Sequence, residues 1–224
     1  MLTQQEKETL IFHVLFSLVC AAVLFAPVAV KTGIRLFILV LAYNMGIVIF
    51  GIVRNHRDWL NIWLFAIVLS VFQVFPDWYL STQLGVLVFP EDGFFRIGSV
   101  SGYMAGLWAI PIFIIIFIGE SARKRSSLRG GLYAVSLASF VIFVGSEETM
   151  WALPSWYARN VILLDHVALY IVIPEVILGL SSYQAYHATR DRSLCFKVPA
   201  AFIVMLLYLG SASFFYFIIE RVYS

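Results

Sequence analysis

Apolar residues along the chain gather into seven long runs, at about 9–30, 34–53, 59–80, 100–119, 131–153, 160–182 and 198–219. Each run approaches the roughly 20 residues that cross a hydrocarbon core about 30 Å thick. None alternates apolar with polar positions as a barrel strand does, and lipid offers no partner to open backbone groups, so each run is predicted to be a helix. The connectors, among them "KTG", "RNHRD", "YARN" and "YHATRDRSLCFK", are too short for a soluble domain. The expected fold is an all-α integral membrane protein, a bundle of seven transmembrane helices forming one domain over residues 1–224.

Lysine and arginine set the expected orientation, because they concentrate on the cytoplasmic side. Arg54, Arg57, Arg123, Lys124, Arg125, Arg129, Arg190, Arg192 and Lys197 follow the second, fourth and sixth runs, and Lys7 joins them to make ten. The other side has five: Lys31, Arg35, Arg96, Arg159 and Arg221. The N-terminus is therefore predicted inside and the C-terminus outside.

Composition narrows the class. The chain is 62% hydrophobic and 12% charged, with mean hydropathy +0.92. Soluble domains carry about 25% charged residues. A formal charge of +2 without a basic arm argues against a nucleic-acid partner. The opening "MLTQQEKETL" lacks a basic n-region and a small-residue cleavage site, so the first run is predicted to be retained. The expected setting is a bacterial inner (plasma) membrane. Cys20 and Cys195 sit apart in sequence and form no ligand or redox motif.

Ionisable residues inside spans are costly, and by default they are functional candidates. Here they are His13, Asp77, Glu120, Glu147, Glu148, Asp165, His166, Glu175 and Glu220. Asp77 ends the third run, Glu147 and Glu148 lie in the outer half of the fifth, and Asp165 and His166 open the sixth. At a rise of about 1.5 Å per residue, these five fall within roughly 10 Å of the outer boundary. Glu175 counts as about 15 Å deeper than Asp165. Ser70, Gln73 and Asp77 share one helix face, as do Glu148 and Trp151. Glu147 and Glu148 are about 100° apart and cannot both face one site.

Several chemistries lack their residues. No lysine lies deep in the last run for a retinal Schiff base. His13 and His166 fall at opposite ends and cannot clamp a haem. Four histidines are too few for di-iron boxes, and no nucleotide, zinc-protease or serine-hydrolase motif is present. The expectation is no metal and no cofactor. What remains is acid chemistry among 20 Phe, 11 Tyr and 6 Trp. A carboxyl held in apolar surroundings can keep its proton and act as a donor, and aromatic faces stabilise cations. Proton-initiated cyclisation of an isoprenoid needs both. A lipid-binding module, a proton-coupled transporter and a simple salt-bridge cluster neutralised by Arg96 or Arg159 fit the same residues.

One block adds a resemblance. Asp77-Trp78, Gln83-Leu84-Gly85-Val86, Phe89-Pro90 and Phe95-Arg96-Ile97-Gly98 resemble a block of the small membrane-type lycopene cyclases. That family follows its "RIG" with a proline and an acidic pair and builds the block twice. "FVGSEETMWALPSWYARN" and "HVALYIVIPEVILG" look like a degenerate second copy, with Pro174-Glu175 at the proline-acid position. The repeat would cover about 59–119 and 131–182. Three helices separate the copies on this reading, which would set them in opposite orientations, as in inverted-repeat transporters. After Gly98 this chain reads "SVSGYMAGLW" with no carboxylate, so Glu147, Glu148 or Glu175 would have to supply the acid.

The resemblance implies about seven helices and redox-neutral ring closure by protonation of a polyene end, a logic shared with membrane-bound terpene cyclases. The expected site has Glu147 or Glu148 as proton donor, with Asp77 and Asp165 setting its protonation. Arg96 and Arg159 order the outer connectors, while Glu91 and Asp92 form a solvated turn. Trp78, Tyr103, Trp108 and Trp151 supply wall, and His166 and Glu175 contact substrate. The expected partner is a lipid or isoprenoid. A tag inserted within 123–129 is expected to be accessible only from the inner face; outer accessibility would reverse the orientation.

Overall fold

The computed structural model describes residues 2–153 and 155–222. Helix α1 (Gln4–Phe25) begins five residues earlier than the apolar run, because Thr3 and Glu6 form a reciprocal capping box. Its two glutamates are then paired. Glu8 meets Arg54 and His56, the latter at 2.5 Å, and Glu6 meets Arg125. At the far end Arg35 donates to the carbonyls of Val23, Leu24, Ala26, Val28 and Val30. These carbonyls lie at or beyond the helix end, where acceptors lack intrahelical donors.

Helices α2 (Thr32–Val53) and α3 (Arg57–Trp78) follow, and α3 runs on through a π-turn at Tyr79–Gln83. Strand β1 (Leu87–Val88) leads to a hairpin of β2 (Arg96–Ile97) and β3 (Val100–Ser101), then to short α4 (Met104–Leu107) and α5 (Ala109–Arg125). Helix α6 (Leu128–Met150) repeats this plan. Strand β4 (Tyr157–Ala158), the hairpin β5 (Leu163–Leu164) and β6 (Val167–Ala168), and α7 (Leu169–Thr189) succeed it. Helix α8 (Leu194–Phe217) closes the bundle, extended by a π-turn at Ile218–Val222.

Among the described residues, six helical stretches are long and apolar enough to cross a membrane: Gln4–Phe25, Thr32–Val53, Arg57–Gln83, Met104–Arg125, Leu128–Met150 and Leu194–Val222. Together they make the chain a multi-pass membrane protein. Helix α7 is as long but carries Pro174, Glu175 and Gln184, which lower its apolar content. Its start also corrects the sequence expectation. Residues 160–168 are hairpin and approach, not helix, so Asp165 and His166 form the tip of a turn. Asp165 adopts a left-handed φ of 55°, which an Asp tolerates better than most residues.

Strands β1 and β4 pair antiparallel, Leu87 opposite Ala158 and Val88 opposite Tyr157. Since β1 follows α3 and β4 follows α6, this pairing puts the C-terminal ends of both helices at one end of the bundle. The two similar halves therefore share one orientation. The expected opposition came from counting three helices between copies; α3 and α6 are separated by one long helix.

Close packing joins α5, α6 and α7 through glycines. A Cβ on Gly179 would lie 1.8 Å from Ser139 Oγ, and one on Gly119 would lie 2.5 Å from Val135 Cγ2. Small residues let membrane helices approach and gain van der Waals contact. Gly179→Leu is expected to destabilise the bundle by about 1–3 kcal/mol, whereas Gly210→Ala, with nothing within 4 Å of the new Cβ, should be neutral or stabilising by about 0.5–1 kcal/mol. Unfolding midpoints of both variants in one lipid environment check this.

Candidate functional site

A cavity of about 290 Å³ lies in the half of the bundle that carries the strands. Every helix contributes to its wall, and the lining is overwhelmingly apolar. Phe16 and Cys20 of α1 face Ile142 and Phe143 of α6, while Leu87, Phe89 and Ala158 close it from the connector side. Three carboxyls enter this lining: Asp77, Glu147 and Glu175. Trp108, Trp156, Tyr170 and Tyr208 surround them, and no Lys, Arg or His is in the lining among the described residues.

Each acid is held differently. Asp77, on the penultimate residue of α3, is 2% exposed and accepts a 2.9 Å bond from Trp108 Nε1. Glu147, near the end of α6, accepts from Trp156 Nε1 at 3.3 Å. Glu175, one residue past the α7 proline, is 3% exposed, and its Oε2 has no hydrogen-bond partner among the described residues. One small, mostly apolar chamber does not hold three carboxylate anions without a counter-charge; protons or a bound cation must neutralise them.

The two halves of the chain explain where the acids come from. Asp77 precedes β1 by ten residues, and Glu147 precedes β4 by the same ten. Trp108 follows the start of β3 by eight, and Glu175 follows the start of β6 by eight. Asp77 and Glu147 are thus equivalent positions, as are Trp108 and Glu175. In the first half an indole N–H fixes the acid. In the second half another acid stands where that donor would be.

The remaining candidates lie elsewhere. Glu148 is not in the cavity lining; it accepts one 3.3 Å bond from the backbone N–H of His166 and contacts its Nδ1 at 3.3 Å. Asp165 flanks the same imidazole at 3.1 Å with its side chain 72% exposed. Trp151 stacks on that ring at 4.2 Å. Glu148, Asp165 and His166 hold donor atoms within 4.8 Å of one another, a spacing that could fit a metal ion, yet they already pair among themselves at the surface. They fasten the second hairpin to α6.

Arg96 donates to the carbonyls of Phe89 and Pro90, and Arg159 to that of Gly85. Both are exposed and neither lines the cavity, so the acids are not neutralised by them. Trp78 sits against Gly98, where a Cβ would come within 2.7 Å of its ring at a φ of 64°. Glycine is required there twice over, by conformation and by contact. Tyr103 is buried away from the cavity lining, with its hydroxyl 2.9 Å from Ser155 Oγ; burial pushes that phenol up to about 12, so it stays neutral. Asp92 corrects the solvated-turn expectation. It is 5% exposed and accepts from the Phe94 N–H and, at 2.5 Å, from Ser101 Oγ. Sequence reasoning did not single out Trp156, Tyr170 or Tyr208 as wall; Tyr170 was discoverable as the repeat partner of Tyr103.

Residues 74–219 match the family described as a domain of unknown function, DUF6989. The match runs from the last turn of α3 almost to the end of the bundle and takes in all three acids, and the chain belongs to that family. No curated protein and no solved structure matches the chain.

Trp108→Phe keeps the ring but removes the donor to Asp77. Leaving that buried acceptor unpaired is expected to cost about 1–3 kcal/mol, read as a lower unfolding midpoint than the unmodified protein, while Trp151→Phe at the exposed cluster should change it by less than about 0.5 kcal/mol.

Proposed function

We propose that this protein binds the end of an isoprenoid or similar lipid in the cavity and carries out an acid-initiated, redox-neutral cyclisation or isomerisation there. The observation that supports this reading is the set of Asp77, Glu147 and Glu175 in an aromatic, cation-free chamber, with one Glu175 oxygen unpartnered. In this reading the Glu147 and Glu175 pair carries the transferable proton. A protonated carboxyl gives its proton to a terminal double bond, ring closure moves the positive charge inward, and the conjugate carboxylate takes a proton back from the adjacent carbon. Mass is unchanged. Trp108, Trp156, Tyr170 and Tyr208 stabilise the intermediate cation through their π faces. Asp77, fixed by Trp108, acts as a stationary negative charge or hydrogen-bond acceptor. The motif resemblance to membrane-type lycopene cyclases agrees with this chemistry and adds the class of substrate.

We also propose that α7 is a seventh span, with the N-terminus inside and the strand-bearing end outside, in a membrane of the bacterial inner type. The basic residues support the orientation: ten lie on the α2–α3, α5–α6 and α7–α8 side against five on the other. A helix bundle rather than a barrel supports the membrane type. A second reading, a proton-coupled carrier, draws on the same neutralisation demand. Against it, the two halves share one orientation rather than the inverted pair common in such transporters.

Expression in a host supplied with linear polyenes is expected to yield isomeric products of unchanged mass. Glu175→Gln and Glu147→Gln should each lower their formation by about 10²–10⁴-fold, the usual contribution of a general acid. Products that survive both substitutions would remove the acid role.

A further inference from the structure

The neutralisation problem of the cavity has a consequence for what it binds. Three carboxyl groups line it, and the cations that might have served are committed elsewhere. Arg96 and Arg159 hold connector carbonyls, His166 belongs to the surface cluster, and Lys197 donates to the carbonyls of Thr189 and Arg190 at the other end of the bundle. The indoles of Trp108 and Trp156 each satisfy one acid with a neutral donor. Neither neutralises a charge. Glu175 lines the chamber, and its buried Oε2 has no donor among the described residues. A buried acceptor with no partner costs free energy that a ligand bearing a donor recovers.

We infer that the cavity is a binding site for a lipophilic ammonium ion, a protonated tertiary amine on an alkyl chain, whose N–H is received by Glu175. The three features of such a ligand each have a counterpart. Its positive charge meets three carboxyls with no Lys, Arg or His in the lining among the described residues, its single N–H meets Glu175, and its N-methyl groups meet the aromatic rings of Trp108, Tyr170 and Tyr208, which attract alkylammonium cations. Volume limits what is enclosed. About 290 Å³ corresponds to roughly ten water-sized volumes of about 30 Å³ each, enough for the ammonium head and a short part of the chain. The rest of the chain must leave the cavity. Helix α1, which lines the cavity with Phe16, Cys20 and Leu24, is the least buried of the six long apolar helices, so the tail is placed past Cys20 into the acyl region of the bilayer.

The inference uses the same cavity as the proposed reaction but not the reaction itself. For a cyclase the ammonium ion mimics the carbocation; for a carrier it is cargo. The test compares N,N-dimethyldodecylamine with its uncharged carbon isostere, 2-methyltetradecane, on the full chain in nanodiscs of phosphatidylcholine. Empty discs give the partition baseline, and intrinsic tryptophan fluorescence or calorimetry reads binding. The amine is expected to bind at least tenfold more tightly than the isostere, and Glu175→Gln should erase most of that preference. Glu91→Gln, an exposed loop change, should leave it intact. Equal affinity for amine and isostere overturns the inference, and so does a preference that Glu175→Gln leaves unchanged. If Glu175→Gln does not fold, Glu147→Gln and the amine-to-isostere ratio on the unmodified chain still decide it. Amine preference without polyene conversion removes the cyclase reading alone, whereas conversion without amine preference removes this inference alone.

Discussion

The pairing of Leu87 with Ala158 and of Val88 with Tyr157 is a very short piece of sheet, yet the site depends on it. A strand leaves each of two equivalent helices and meets its counterpart over the mouth of the bundle. That junction levels the ends of α3 and α6, and so brings Asp77 and Glu147, ten residues upstream in each half, to one chamber. Backbone polar groups that turn over at a membrane surface need partners. The hairpins, the arginine bonds to Gly85, Phe89 and Pro90, and the buried Asp92 turn supply them. The connectors are a built lid rather than slack.

Within the chamber the two halves have parted company. The first holds Asp77 with the indole of Trp108. The second holds Glu147 with the indole of Trp156 and adds a further acid, Glu175, whose Oε2 is unclaimed among the described residues. The two halves keep one backbone plan while one equivalent side chain differs, Trp108 against Glu175; on the proposed reading, that difference separates the task of holding a charge from the task of moving a proton.

Much of the fold was legible because the bilayer's thickness forces long apolar runs, and those runs locate the helices to within a few residues. The failures are instructive. The first helix extends through Gln4–Glu8 because ion pairs with Arg54, His56 and Arg125 replace the hydration a polar stretch would otherwise need. The run at 160–182 opens with "VILLDHVALYIVI", which is apolar enough for either helix or strand; only the left-handed turn at Asp165 separates them. That error propagated to the site. Measured from a false helix start, Glu175 looked a further three turns down. From the true start at Leu169 it lies in the second turn, on the lining that Asp77 and Glu147 share. Choosing between Glu147 and Glu148 was beyond the sequence, because adjacent helical residues differ only in azimuth and azimuth is set by packing.

Helix α1 is secured at its two ends, by carboxylates holding basic side chains at one and by Arg35 gathering carbonyls at the other. To the cavity it offers Phe16, Cys20 and Leu24. On the ammonium-lipid inference the cavity opens beside α1, and acyl chains then complete the enclosure as a structural component of the chamber. Detergent, which replaces those chains with shorter and more mobile ones, presents a differently walled site. Lipid composition is accordingly a variable of the site itself, on the same footing as a side chain.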